Sequence, residues 1–203
     1  MTENAPRTSE PGSASAETLP RADGVGADLR ALRKARKLTL AALARQVGRS
    51  VGWLSQVERD VTTPTIRDLR RLADALGQPM SLFFGQPAVP EDERGYVVRL
   101  DARRALGAAE EGLTEMLLSP DLGGSFEIVR SVFDPGAELD EFVQRPTEEA
   151  GYIISGNLDL WIGERCFALG PGDSFRFAGE PYRWRNAGPE PAVAIWVIAP
   201  PVY

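Results

Sequence analysis

The chain of 203 residues is 43% hydrophobic, carries a net charge of −6, and contains a single cysteine, Cys166, and no histidine. No run of about 18 apolar residues is present and one cysteine has no partner, so the composition excludes a membrane-spanning helix and an internal disulfide, and we expect a cytoplasmic protein of one or two domains. Because histidine is the commonest metal ligand and the commonest general base, its absence argues against most metalloenzymes and acid–base enzymes.

The charge divides the chain into parts of opposite sign. Residues 1–22 are rich in Ser, Pro, Ala and Glu without an apolar stretch, which predicts a disordered tail. Residues 21–85 carry twelve Lys and Arg against six Asp and Glu, whereas residues 86–203 carry ten against twenty. Only the basic part is therefore expected to meet a polyanion. We predict a helical domain over 23–85, a linker over 86–95 and a β-rich domain over 96–203.

Five short helices are predicted in the basic part, because its apolar residues recur at spacings of three and four. The third is predicted over Val51–Glu58, and a short fifth turn runs through Ser81–Phe84. Residues that favour helix ends delimit the helices. These are Thr39 and Gly48 for the second helix, Ser50 for the third, and Thr65, Asp68 and Gly77 for the fourth.

The segment Thr39–Arg59 resembles the helix-turn-helix of the Cro/CI-like repressors, the xenobiotic-response-element family, and the resemblance extends over Ala27–Phe84. Family positions are held by Ala44, Gly48, Leu54 and the block Ser55–Arg59. The resemblance implies a five-helix, lambda-repressor-like DNA-binding domain. It also implies a homodimer that binds double-stranded DNA at a near-palindromic operator. A protein-interaction module is the alternative for a basic helical bundle.

The resemblance places three residues of the third helix, Val51, Gly52 and Gln56, where family members contact bases. A glutamine is suited to adenine, which it can contact through two hydrogen bonds. The resemblance also implies an ion pair between Arg33 and Glu58 that connects the first helix to the recognition helix. Contacts mainly to phosphates are expected from Thr39, Arg49, Ser50, Trp53, Ser55 and Arg59, although a packing role suits the tryptophan equally well.

After the linker the apolar period changes to two, and turn residues separate the segments. Many short strands at regular spacing indicate an all-β sandwich or barrel. The predicted strands are Tyr96–Leu100, Leu113–Leu118, Phe126–Phe133, Gly151–Ser155, Asn157–Ile162, Cys166–Leu169, Ser174–Phe177 and Ala192–Ile198.

This second domain resembles a cupin, a double-stranded β-helix barrel, through the spacing of Gly136, Glu149 and Gly156 and through the segment Leu169–Asn186. The resemblance implies a metal site with histidine ligands. Their positions fall here on Phe142 and Gln144, or on Val143 and Arg145 with a shorter gap, and on Tyr182. Of the four ligand positions, only the one at Glu149 still holds a residue that can bind a metal. A lone carboxylate does not bind a transition metal tightly. We therefore expect no metal, no cofactor, no catalytic residue and no enzymatic activity.

The barrel is instead expected to enclose a pocket of aromatic rings and a carboxylate, which suits an amine or an amino acid as the effector. Its candidate residues are Phe142, Gln144, Glu149, Tyr152, Trp161, Tyr182, Trp184 and Trp196. The leading hypothesis is a transcriptional regulator whose metal-free cupin domain modulates operator binding. Two alternatives remain at this point. One is a metal-independent, isomerase-like cupin enzyme with a DNA-binding appendage, and the other is a barrel used only for dimerisation.

Overall fold

The computed structural model describes residues 25–83, 90–106 and 111–202, which form a helical region followed by a β-rich region. The predicted tail, residues 1–22, and the first part of the predicted linker lie outside the described residues. The remainder of that linker forms a turn. Within the described ranges, no helix is long and apolar enough to cross a membrane.

The predicted helix ends are confirmed. Side-chain oxygens of Thr39, Ser50 and Thr65 accept backbone N–H groups at the three N-caps, and Thr65 forms a reciprocal capping box with Asp68. Gly48 closes the second helix in the left-handed conformation, with φ of 69°. In the described part of the chain the α-helices are α1 Val25–Ala35, α2 Leu40–Val47, α3 Val51–Val57 and α4 Ile66–Leu76.

The expected fifth helix is wrong. Residues Met80–Phe83 form a single 3-10 turn, so that the described residues contain four α-helices. Gly77 ends α4 in the left-handed conformation, and Pro79 follows it without an N–H to continue a helix. Phe84, the last residue of the prediction, lies outside the described residues.

The predicted strand over Tyr96–Leu100 is also wrong. Tyr96 ends a turn, residues 97–99 have no regular secondary structure, and a 3-10 helix over Leu100–Ala102 begins at the last residue of the segment. Tyr96 and Leu100 are 85% and 76% exposed, so their alternating pattern faces no core. The strands are β1 Arg104–Leu106, β2 Leu113–Leu117, β3 Glu127–Phe133, β4 Glu148–Ser155, β5 Leu158–Ile162, β6 Arg165–Leu169, β7 Ser174–Ala178, β8 Tyr182–Arg185 and β9 Ala192–Ala199.

The strands form two antiparallel sheets that enclose an apolar core. The larger sheet has the order β1-β2-β3-β9-β4-β7, and the smaller has the order β6-β5-β8. Residues alternate between buried and partly exposed along β3 and β9, as the period-two pattern predicts. Between the sheets, the rings of Phe133 and Trp184 meet edge to face at 4.7 Å. The cupin-like barrel predicted from sequence is thus observed as a β-rich, two-sheet domain.

The helical region is anchored on the β1 edge of the larger sheet. Arg104 of β1 forms an ion pair with Asp28 of α1, with 2.6 Å between Nη2 and Oδ2, and both side chains are at most 7% exposed. Leu106, Leu117 and Leu122 of the β-rich region pack against the helical core. Because leaving one charge of a buried pair unpaired is costly, this contact fixes how the two regions sit together.

Candidate nucleic-acid interface and barrel cavity

The turn between α2 and α3 presents the start of α3 at the surface. The Ser50 side chain accepts the Trp53 N–H at 3.1 Å and caps α3, while Leu54 on the opposite face is fully buried between the helices. Thr39 is exposed and caps α2 in the same way, accepting the Ala42 N–H at 3.1 Å. Both helices therefore begin with ordered, partly unpaired N–H groups, the arrangement that binds phosphate oxygens.

The three residues expected to read bases share this exposed surface. Val51 is 46% exposed, and a Cβ added at Gly52 would meet no atom within 4 Å, so a DNA base could approach the backbone closely here. Gln56 is exposed, and its Oε1 accepts the hydroxyl of Thr62 at 3.2 Å. That hydrogen bond leaves the amide NH2 free to donate and holds the side chain at the surface.

Arg49 is held by a carboxylate rather than standing free beside the helix. Its guanidinium donates two hydrogen bonds to Asp68 of α4, at 2.8 and 2.9 Å, and lies 5.0 Å above the Trp53 ring. Burial alone would raise the pKa of Asp68, but hydrogen bonds from Thr65 and Arg49 together lower it. Arg49 therefore also links the helix-turn-helix to α4.

The other residues expected to contact phosphates are accessible to different degrees. Arg59 is exposed, and its Nε donates to the Ser55 carbonyl at 3.1 Å, which directs the guanidinium along the helix end. Ser55 and Trp53 are partly exposed, so both remain within reach of a ligand.

Arg33 and Glu58 form a two-point ion pair between α1 and the end of α3. Nε and Nη2 of the arginine donate to the two carboxylate oxygens at 2.6 and 2.8 Å, and Nη1 donates to the Leu38 carbonyl at 2.9 Å. The side chains are 12% and 6% exposed. The hydrogen bonds that Arg33 donates to Glu58 are the main cause of the raised pKa of Arg33. This ion pair fixes the orientation of α3 relative to α1.

A cavity of about 220 Å³ opens between the two sheets of the barrel and reaches the helical region. Its charged lining comes from Glu115 of β2, Glu127 of β3 and Arg145 of the segment before β4. The helical region contributes Gln78 and Pro79, the residues that follow α4. Its size lies below the roughly 300–1,000 Å³ of pockets for drug-sized molecules, and it therefore suits a small metabolite.

Only part of the pocket expected from sequence faces this cavity. Tyr182, Trp184 and Trp196 line it. Four other candidates lie outside it, because their side chains leave the strands and loops on the outer side. Phe142 and Tyr152 are about half exposed, Trp161 lies beneath Arg183 at 4.1 Å, and Gln144 donates to the Gly179 carbonyl at 2.8 Å.

The two alignments of the cupin histidine positions are distinguished by side-chain direction. Val143 and Arg145 line the cavity, whereas Phe142 and Gln144 do not. The bridge between Val143 and Tyr182 fixes this register, since a shift by one residue would turn every side chain to the other face. The shorter gap is therefore the one that fits the structure.

Glu149 does not offer its carboxylate to a ligand or metal. It is 1% exposed, and its two oxygens accept hydrogen bonds from Trp196 Nε1 at 2.7 Å and Thr147 Oγ1 at 2.8 Å. The family's other three ligand positions are held by Val143, Arg145 and Tyr182, and Arg145 is itself a cation. The residues present do not fit the metal that cupins commonly hold, and the described residues contain no other cluster of metal ligands.

Sequence reasoning missed the two carboxylates inside the cavity, Glu115 and Glu127. Burial raises the pKa of both. For Glu127 it reaches about 7, since burial and the neighbouring Glu115 and Glu149 outweigh the Val202 N–H and Arg145. Both glutamates occupy the inward positions of their strands, so a period-two reading of β2 and β3 would have placed them with the core residues.

Comparisons with known proteins agree with this architecture. A helix-turn-helix domain model matches residues 25–82, and a cupin domain model matches residues 129–198. The HTH-type transcriptional regulator PuuR of Escherichia coli strain K12 is 25% identical over 163 residues, covering 79% of this chain and 86% of PuuR. The HTH-type transcriptional regulator SutR of the same strain is 27% identical over 165 residues, covering 79% of this chain and 85% of SutR.

Among solved structures, an HTH_3 family transcriptional regulator from Vibrio cholerae aligns with a TM-score of 0.43 and 24% identity, covering 89% of this chain and 97% of that one. The two domain matches follow one another without overlap, in the order helical then β-rich. The chain carries an N-terminal helix-turn-helix domain and a C-terminal cupin domain, and it is a homologue of HTH-type transcriptional regulators.

Proposed function

We propose that the chain is a sequence-specific, DNA-binding transcriptional regulator that acts in the cytoplasm. The observation that carries this proposal is the capped, exposed start of α3, where Val51, Gly52 and Gln56 share one accessible surface. A helix presented in this way enters the major groove and contacts base edges with its N-terminal part. The regulators PuuR and SutR, to which the chain is similar over both domains, support the same function.

Phosphate contacts surround this surface. The capped N-termini of α2 and α3, at Thr39 and Ser50, supply backbone N–H groups, and Arg59 supplies a charge. Arg49 can reach a phosphate only while sharing its guanidinium with Asp68 or releasing it. The excess of basic residues in the helical part adds attraction that depends on salt, and the acidic barrel is directed away from DNA by its own charge.

We propose further that the protein works as a homodimer that places two recognition helices on a near-palindromic operator. The outer face of the larger sheet is the surface we assign to the contact between copies. Around the single charged residue Arg130, the centre of this face is apolar, although one-sided sheets usually turn polar residues outward. The central residues are Ile128, Val132, Tyr152, Val193, Ile195 and Val197.

Two further features favour a second copy as the occupant of this face. None of these six residues packs against either hydrophobic core of the described chain. The three strands that carry these residues, β3, β9 and β4, have seven or eight residues each, so they cover about 25 Å by about 14 Å, a footprint of roughly 350 Å². A standard interface buries ~800 Å² on each partner, so the contact we propose extends onto the neighbouring strands of the sheet, and sheets pack face to face in aligned pairs.

We propose that the barrel senses an effector, an amine or an amino acid, rather than catalysing a reaction. An isomerase-like mechanism would require Glu149 and Tyr182 to exchange protons near neutral pH. Both oxygens of Glu149 already accept hydrogen bonds, and burial, followed by the charge of Glu149, raises the pKa of Tyr182 to about 12. An acid that weak is poorly matched to proton transfer at neutral pH.

The test is recovery of duplex fragments from a genomic pool by the purified full-length chain, followed by affinity measurements at several salt concentrations. A recovered operator should bind far more tightly than a shuffled duplex of equal length, and the affinity should fall linearly on a log–log plot against salt. No salt-sensitive affinity for any duplex would contradict the proposed function.

A further inference from the structure

The barrel cavity contains ionisable groups of both signs that form no ion pair with each other. Glu115 accepts the Ser131 hydroxyl at 2.8 Å and Glu127 accepts the Val202 N–H at 3.0 Å, which leaves each carboxylate with unused acceptor positions. Arg145 forms no hydrogen bond and no ion pair with any described residue. A guanidinium has five donors, so a partly buried one without partners is poised for a ligand.

Arg145, Glu115 and Glu127 line the same cavity. Arg145 lies close enough to influence the titration of both Glu115 and Glu127. No nitrogen of Arg145 lies within the 4.0 Å of an oxygen that would make an ion pair among the described residues. The charges therefore stand apart within one cavity, and a ligand with opposite charges at its two ends would pair with both.

Ligands of a single charge fit less well. A simple anion would face two carboxylates in addition to Arg145, and a simple cation would leave the guanidinium unpaired inside the barrel. An uncharged apolar ligand would bury Arg145 without a partner and leave the remaining acceptor positions of both glutamates unfilled, which is the most costly arrangement. The rings of Tyr182 and Trp196 supply a wall for the carbon skeleton and can attract an ammonium group.

We infer that the cavity binds a small zwitterion, with its ammonium group on Glu115 and Glu127 and its carboxylate on Arg145. This names the effector class of the proposed regulator and rests on that function only for its regulatory consequence. The volume of about 220 Å³ limits the ligand to the size of a single amino acid or a close derivative.

The position of the cavity explains how such a ligand would reach the DNA-binding surface. Gln78 and Pro79 form part of the wall and directly follow α4. Asp68 lies near the other end of α4, and its carboxylate accepts two hydrogen bonds from Arg49 beside the recognition helix. A ligand that moves the 78–79 wall therefore acts on the helix that positions Arg49.

The test is isothermal titration calorimetry of the full-length chain with L-amino acids, each compared with the amine and the carboxylic acid of the same carbon skeleton. At least one amino acid should bind, and its amine and acid should each bind at least tenfold more weakly, because each lacks one charge-assisted contact. Equal affinity for the amine, or no binding by any amino acid, would overturn the inference.

Two variants separate a specific contact from a general loss of structure. Arg145→Gln should weaken the amino acid at least tenfold while leaving the amine unchanged, and its melting temperature should remain near that of the parent chain. Arg183→Gln is the matched control, because Arg183 lies over Trp161 outside the cavity. An unaltered affinity in Arg145→Gln would overturn the assignment. Since none of these measurements uses DNA, they fail or succeed independently of the proposed regulatory function.

Discussion

Replacing Glu127 by glutamine is expected to stabilise the ligand-free chain at neutral pH and to change little near pH 4. Glu127 is 2% exposed, and its pKa is raised from 4.5 to about 7, chiefly by burial. Between these pH values the folded chain holds a proton that the unfolded chain has released. The free energy of unfolding therefore falls as the pH rises from about 4.5 to about 7.

The size of this loss follows from the shift in pKa. Each pKa unit corresponds to about 1.4 kcal/mol, so ionising Glu127 in the folded chain costs up to about 3 kcal/mol by pH 8. Glutamine carries no charge at any pH, and its amide oxygen can still accept the Val202 N–H. For a chain of this length, 3 kcal/mol corresponds to an increase of roughly 6–12 °C in melting temperature.

The assay is thermal unfolding followed by circular dichroism from pH 4 to pH 8, for the parent chain, Glu127→Gln and the exposed-site control Glu141→Gln. The melting temperatures of the parent chain and the control should fall together as the pH rises. Both should differ from the melting temperature of Glu127→Gln only above about pH 5. A Glu127→Gln variant that lost stability with pH as steeply as the parent would refute the assignment of this titration to Glu127.

Three further predictions concern the other surfaces. Gln56→Ala should weaken operator binding by about 1–3 kcal/mol and shuffled DNA hardly at all in fluorescence anisotropy, and equal losses on both would show that Gln56 reads no base. Arg33→Ala should destabilise the chain by about 3–5 kcal/mol in urea unfolding, since it leaves a buried carboxylate unpaired. The exposed-site change Arg30→Ala should not destabilise it. An unchanged unfolding midpoint in Arg33→Ala would show that the ion pair does not stabilise the fold. Tyr152→Glu should convert a particle of twice the 22.1 kDa chain mass into a monomer in analytical ultracentrifugation, while Leu100→Glu, more exposed but off the sheet face, should not; a folded Tyr152→Glu dimer would exclude that face.

The helix-turn-helix was accessible from sequence because its signals are local. Ser50 caps α3 through an N–H three residues away, and Gly48 permits a left-handed turn that its neighbours cannot adopt readily. Such signals depend on chain segments of a few residues, so they can be recognised without knowing the rest of the fold. Local reasoning failed over Ser81–Phe84, which forms only a single 3-10 turn although Leu82 and Phe83 are buried. It also failed over Tyr96–Leu100, where the alternating pattern faces no core.

The barrel cavity could not be derived in the same way. Which residues face it depends on the register of strands distant in sequence, and a slip of one residue exchanges Val143 and Arg145 for Phe142 and Gln144. Residue spacing alone was enough to predict the helix-turn-helix domain, the cupin domain and the loss of the histidine ligands. The folded chain brings Arg145, which precedes β4, into one cavity with carboxylates from β2 and β3. This could not be predicted, because long-range strand pairing, not local spacing, decides which side chains meet.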